Sequence, residues 1–299
     1  MMTYIHIKDS SDSLRKIGDY WRECPISEGK EMITRILIVA GLVLSCSLCL
    51  AEDFPEDTNE IKSLTAEQAA DLIMVVTHVR KGLSLSLNGL TSIDKDVAQE
   101  LAKFEGEYLN LNGLTSINKD VAQELAKVKG EYLFLKGLTS IDKNVAQELA
   151  KFERGFLSLG GLTSIDKDVA QELGKFKGSL SLNGLTSIDK DVAQELAKFK
   201  GRLFLSGLTS IDKNVAQELA KFEGNLSLGL TSIDKDVAQE LAQFKGRGLT
   251  LGGLTSIDKD VAQELAQVKG GLSLYNLTSI DKDVLKILKA KPGIMLPVK

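Results

Sequence analysis

The chain has 299 residues with Lys+Arg 37 against Asp+Glu 41, a formal net charge of -4. A mildly negative net charge argues against broad nucleic-acid binding, which needs a basic stripe to displace counterions, so no nucleic-acid partner is expected. Its three cysteines, Cys24, Cys46 and Cys49, all precede residue 50, so neither a disulfide nor a thiolate metal site holds the remainder together.

Residues 1–31 mix both charge signs and form an odd leader, as if synthesis started at Met32. From Met32 the text reads "MITRILIVAGLVLSCSLCLAEDFPED". Arg35 supplies a short positive flank, Ile36 to Leu50 is an apolar run, and Ala51 follows with Cys49 at the minus-3 place. That order reads as a secretory signal over 32–51, cleaved after Ala51, in a secreted, periplasmic or cell-surface protein. Two alternatives stand: lipidation of Cys46 within "VLSC", or retention of residues 36–51 as a membrane anchor. These are the only expected contacts with a membrane.

Residues 52–82 hold "LTAEQAADLIMVVTHVRKG", which aligns with the later "IDKDVAQELA" so that Leu72 matches Leu101. It is expected to be a degenerate first helix that caps the N-terminal edge. Over 83–285 one motif then recurs. The Ile of "LTSI" falls at 93, 117, 141, 165, 188, 211, 233, 257 and 280, spacings of 24, 24, 24, 23, 23, 22, 24 and 23. Nine units of this length are too short for tetratricopeptide or ankyrin repeats.

Each unit has two periodicities. "LxL", as in Leu85-Ser86-Leu87, alternates with period two and predicts a short strand. "SIDKDVAQELAKF" places Val97, Leu101 and Phe104 at i, i+4 and i+7 with Ala98 and Ala102 beside them. That is an apolar stripe on a helix of about three turns. Asp94 is placed to cap the helix, Asp96 to oppose its dipole, and Gly106 to end it in a left-handed turn. One unit cannot bury its apolar face alone, so the units must stack.

The text "LSLNGLTSIDKDVAQELAKFKGSL" resembles the leucine-rich repeat of the cysteine-containing type. Leu180, Leu182, Ile188, Leu196 and Ala197 take the matching places, and Leu185 stands where that family has Cys or Asn. The resemblance implies an α/β solenoid with a curved parallel sheet on its concave side and short helices on its convex side. It also implies a loss of the Cys/Asn hydrogen-bond ladder, which the recurrent Thr and Ser of "LTS" are expected to replace. Residues 286–299 read as a C-terminal cap: Ile294 and Leu296 offer a last strand, and Pro292 and Pro297 discourage further pairing.

The repeated motif itself carries no chemistry. The Asp-x-Asp of "SIDKD" lacks the further oxygens and Gly turn of a calcium loop, so helix capping explains it and no metal is expected. Glu100 and its copies fall on the expected wet face of the helices with no repeated His or Cys beside them. His78 reads as a surface residue of the cap, and the Thr column as turn hydrogen bonding. No catalytic residue and no cofactor is expected, and the chain is not read as an enzyme.

The places that vary are the informative ones. Before and between the paired Leu stand Tyr108, Tyr132, Phe134, Phe156 and Phe204, with Lys136 just beyond. Aromatic residues on a rigid concave sheet suit a binding surface for a protein or polymer partner, engaged by a monomer. The competing reading is a cross-strand ladder that only stiffens a structural envelope or spacer protein.

Overall fold

The computed structural model describes residues 54–79, 83–153 and 155–297. The segments 1–31 and 32–51, with Cys46 and the expected signal, lie outside the described residues.

Ten parallel strands form one sheet in strict chain order. They are β1 (Ser84–Ser86), β2 (Tyr108–Asn110), β3 (Tyr132–Phe134), β4 (Phe156–Ser158), β5 (Ser179–Ser181), β6 (Arg202–Leu205), β7 (Asn225–Leu228), β8 (Gly248–Leu251), β9 (Gly271–Ser273) and β10 (Ile294–Met295). A helix, α1 (Ala66–Met74), precedes β1. Between strands lie α2 (Lys95–Leu101), α3 (Lys119–Leu125), α4 (Lys143–Leu149), α5 (Lys167–Leu173), α6 (Lys190–Leu196), α7 (Lys213–Leu219), α8 (Lys235–Leu241), α9 (Lys259–Leu265) and α10 (Lys282–Lys289). This is an α/β leucine-rich-repeat solenoid: each strand–helix unit packs on the next, and like residues stack on like.

The pairing register shows why the units stack. Leu85 pairs with Leu109, Leu109 with Leu133, and so on to Leu249 with Leu272. A one-residue slip would turn every Leu to the other face, so burial locks the register. Leu85, Leu87 and Leu90 of the first unit, and Val97, Ala98, Leu101 and Phe104 of its helix, are all buried. At roughly 1.5–3 kcal/mol per fully buried large side chain, each unit stabilises its neighbours more than itself. Leu185, at the place of the family's Cys or Asn, is wholly buried core. Ile93 and its copies, by contrast, are only partly covered against that core.

The repeat helices α2 to α9 are shorter than the sequence predicts, seven residues each. Lys103 N and Phe104 N bond back three residues to Glu100 O and Leu101 O, which tightens the last turn and swings Phe104 inward. Asp94 caps as expected, accepting from Val97 N at 2.8 Å. In α3 the cap is Asn118, which accepts from Val121 N at 2.9 Å.

Gly106 does not act through a left-handed turn. Among the described residues only Gly293 has a positive φ, at 86°. A Cβ on Gly106 would instead collide with the Phe104 ring and the Leu83 carbonyl oxygen. The glycine is there for close approach.

The ladder lost at Leu185 reappears two residues earlier. Asn59 Oδ1 accepts from Asn88 N, Asn88 Oδ1 from Asn112 N, and Asn112 Oδ1 from Lys136 N, at 2.9–3.1 Å. Asn183 Oδ1 serves Ser206 N in the same way at 2.9 Å. The Thr hydroxyls contribute less than expected: Thr115, Thr231 and Thr278 donate to the Thr carbonyl of the previous unit at 3.3–3.5 Å.

Glu100 and its copies are not all on a wet face. Glu124, Glu148, Glu172, Glu195 and Glu218 are buried, because the neighbouring unit's helix covers that flank. Each takes an ion pair from the Lys three residues on, at 2.5–2.7 Å. The lysine ends stay in water, so each buried carboxylate keeps a charged partner.

Candidate binding surface

With both Leu of each strand buried against the helices, the flanking residues stand on the helix-free face of the sheet. Most are small or polar: Ser84, Ser86 and Asn110 at one end, and Asn225, Ser227, Gly248, Thr250, Gly271 and Ser273 at the other. The exceptions form one patch.

Tyr108, Tyr132 and Phe156 are in-register neighbours on β2, β3 and β4. The Tyr108 and Tyr132 rings stack with centroids 4.5 Å apart and an interplanar angle of 14°. Phe134 lies 6.4 Å from Tyr132 and 5.8 Å from Phe156. Lys136 Nζ sits 5.6 Å above the Phe134 ring, a cation–π contact. Each such ring pair adds about 0.5–1.5 kcal/mol beyond area burial. All six residues singled out from the sequence thus fall on or beside one half-buried cluster.

Phe204 is a strand further away than Phe156 could reach through direct pairing. Strand β5 between them carries only Ser179 and Ser181 on this face. The two rings close over that gap and meet edge to face at 6.0 Å. As a result Ser158 and Ser181 are buried, although they belong to the open face. Ser158 Oγ is left with no hydrogen-bond partner. Nothing in the serines' own spacing signals this; the signal is the pair of flanking phenylalanines.

Tyr108 feels this environment. Its phenol is held above the ordinary tyrosine value, first by burial, then by Tyr132 and by the negative charge of Glu107 and Glu131. Tyr275, not singled out from the sequence, is half-exposed and lies over Gly252, where an added Cβ would come 2.7 Å from its hydroxyl.

The comparisons with known proteins add little beyond fold. No protein-family model matches the chain. No curated protein matches it either. Among solved structures, an internalin of Listeria monocytogenes matches with a TM-score of 0.45 and 17% identity, covering 82% of this chain and 78% of that one. The complex of TLR13 with a single-stranded RNA matches with a TM-score of 0.46 and 17% identity, over 78% of this chain and 34% of that one. The leucine-rich-repeat assignment stands on this chain's own period, parallel ladder and buried Leu columns.

Among the described residues no group of three or more His, Cys, Asp or Glu is placed to hold a metal ion. No helix among them is long and apolar enough to cross a membrane. A hollow of about 380 Å³ lies by the helix ends between Lys127, Lys129, Glu148 and Lys151, whose charges already pair within the fold.

Proposed function

We propose that the protein is an exported, non-enzymatic scaffold that binds another protein through the concave, helix-free face of the solenoid, with the aromatic cluster as its anchor. The observation that carries this reading is the confinement of the rings. Five aromatic residues from β2, β3, β4 and β6 make one cluster on a face otherwise built of Ser, Asn, Thr and Gly, with Arg202 at its β6 edge. Large, rigid, half-exposed aromatic groups are the residues that dominate interface energies, because they bury much area at little entropic loss. Export follows from the apolar segment 36–50 and the small-x-small site at Ala51.

A photo-crosslinking side chain at Phe134 or Phe204 tests the site, with one at Lys143 on the helix side as control. The expected result is a discrete adduct from the sheet positions only, competed by unlabelled protein. The variant with Tyr108, Tyr132, Phe134 and Phe156 all changed to Ser should fail to compete while keeping its circular dichroism. Adducts that form equally from Lys143, or competition by the serine variant, would reject the aromatic face as the site.

A further inference from the structure

The loops that lead from each helix into the next strand form one rim of the sheet, and its charge is divided along the solenoid. Before β2, β3 and β4 the sequence of this rim holds Glu105, Glu107, Glu131 and Glu153 against Lys129 and Arg154, a net negative charge. From β5 onward it carries Lys177, Lys200, Lys245, Arg247 and Lys269, with Arg202 beside them at the start of β6, against the single carboxylate of Glu223. Lys177, Lys200, Arg202 and Arg247 converge on a cavity of about 300 Å³ beside Ser179 and Asn225.

Folding does not account for these cations. Along the helices, Lys127, Lys151, Lys175, Lys198 and Lys221 each have a Glu three residues before them. On the rim Lys129 pairs with Glu105, and Lys200 with Glu223, whose carboxyl is held below the ordinary range by the Lys200 hydrogen bond and charge and by the charge of Lys245. Among the described residues, Lys177, Arg202 and Arg247 make no ion pair. Glycines let the loops stack in direct contact: a Cβ on Gly201 would collide with the Gly178 carbonyl oxygen. The backbones of adjacent units therefore stack at the strand spacing, about 4.8 Å, and Lys177, Lys200, Arg202 and Arg247 share one cavity wall, a gathering of like charge that a ligand of opposite sign would relieve.

We infer that this basic rim receives an acidic segment of a protein partner, laid along the rim from β5 to β8 and continuing onto the aromatic cluster. The inference rests on the protein-binding reading above and specifies the partner's chemistry. Continuity supports it, because Arg202 and Phe204 alternate on one strand, so the cationic groove and the rings are adjacent. The span also fits. Three unit steps cover roughly 14 Å, which about four to five extended residues match. A nucleic acid fits less well, because its bases need free ring faces. Here Tyr108 and Tyr132 already stack on each other, and Phe156 is met by the edge of Phe204.

The test uses the full chain and a fluorescein-labelled decamer of glutamate, read by fluorescence anisotropy at low salt. The peptide should bind, and added salt should release it. The triple variant Lys200→Glu, Arg202→Glu, Arg247→Glu should bind it at least about tenfold more weakly, as loss of complementary charge predicts. Lys143→Glu, Lys167→Glu, Lys190→Glu makes the same change in net charge on the helix side and should stay within about twofold, as scattered surface charges do. Phe156→Ser with Phe204→Ser should still bind the decamer, which has no apolar side chain, so failure of the aromatic site and failure of the rim are told apart. Absence of peptide binding, equal loss in the helix-side variant, or tighter binding of a decadeoxythymidylate would each overturn the inference.

Discussion

Phe156 and Phe204 meet edge to face at 6.0 Å across a strand that contributes no ring of its own. The contact roofs over Ser158 and Ser181 and turns part of an open sheet face into a small second core. It spans the strands at which the rim's net charge turns from acidic to basic.

The roof leaves Ser158 Oγ buried and unpartnered. A hydroxyl in that state costs free energy that a methyl does not, so Ser158→Ala should raise stability by up to about 1 kcal/mol in urea unfolding. Ser227→Ala, at the same place in a strand outside the roof and with no side-chain hydrogen bond to lose, should change little. A loss of stability on Ser158→Ala would show that the hydroxyl is satisfied after all.

Two glycines should respond in opposite ways. Gly201→Ala drives a Cβ into the Gly178 carbonyl oxygen, a backbone atom that cannot move alone. A loss of about 1–3 kcal/mol is expected, the usual range for overpacking. At Gly160 an added Cβ would find only ordinary contacts at 3.8 Å and beyond, with no positive φ. Gly160→Ala should be neutral or stabilising by about 0.4–1 kcal/mol, through the unfolded chain's lost freedom. Thermal melts of the two variants side by side check both.

Asn88 joins two units at once, receiving Asn112 N and giving its own N–H to Asn59 Oδ1. Asn88→Ala should cost about 1 kcal/mol, the usual net worth of such a bond. It should also raise hydrogen exchange at the Asn112 amide. Asn88→Asp keeps the acceptor and should keep the protection.

Tyr108 supplies a pH test. Its phenol is raised by burial, by Tyr132 and by two nearby glutamates, so the folded protein favours the neutral form. That contribution is fully present below the unfolded tyrosine value, about 10, and is lost as pH rises through the higher folded one. Melting temperature should therefore fall in alkaline solution, and Tyr108→Phe should fall less steeply. The phenolate absorbance of the wild type should show a late-titrating tyrosine that this variant lacks.

The sequence made the solenoid legible because its signals are local and repeated. Leu alternation, the Val97-Leu101-Phe104 spacing and the Asp94 cap each act within one unit, and repetition removed ambiguity. What stayed hidden depends on the neighbour. Glu148 looks wet on its own helix and becomes buried only when the next helix covers that flank. Gly106 looks like a helix stop and proves to be a place where Phe104 and Leu83 leave no room. The Asn88–Asn112 ladder needed the exact stacking of turns to be seen. The six surface residues could be listed from their variation alone, but the Phe156–Phe204 roof crosses a strand and follows from no spacing rule.

The Asn183 turn and its flanks have one more implication. Because the units stack head to tail through nearly the same pair of packing surfaces, excising or duplicating a whole unit in the gene leaves matching surfaces in contact. Removing the copy that carries Ser179 and Ser181 would set Phe204 directly beside Ser158 and redraw the aromatic patch. Recognition in such a chain can change by copy number, by recombination between near-identical segments, with no point mutation in the residues that hold it folded.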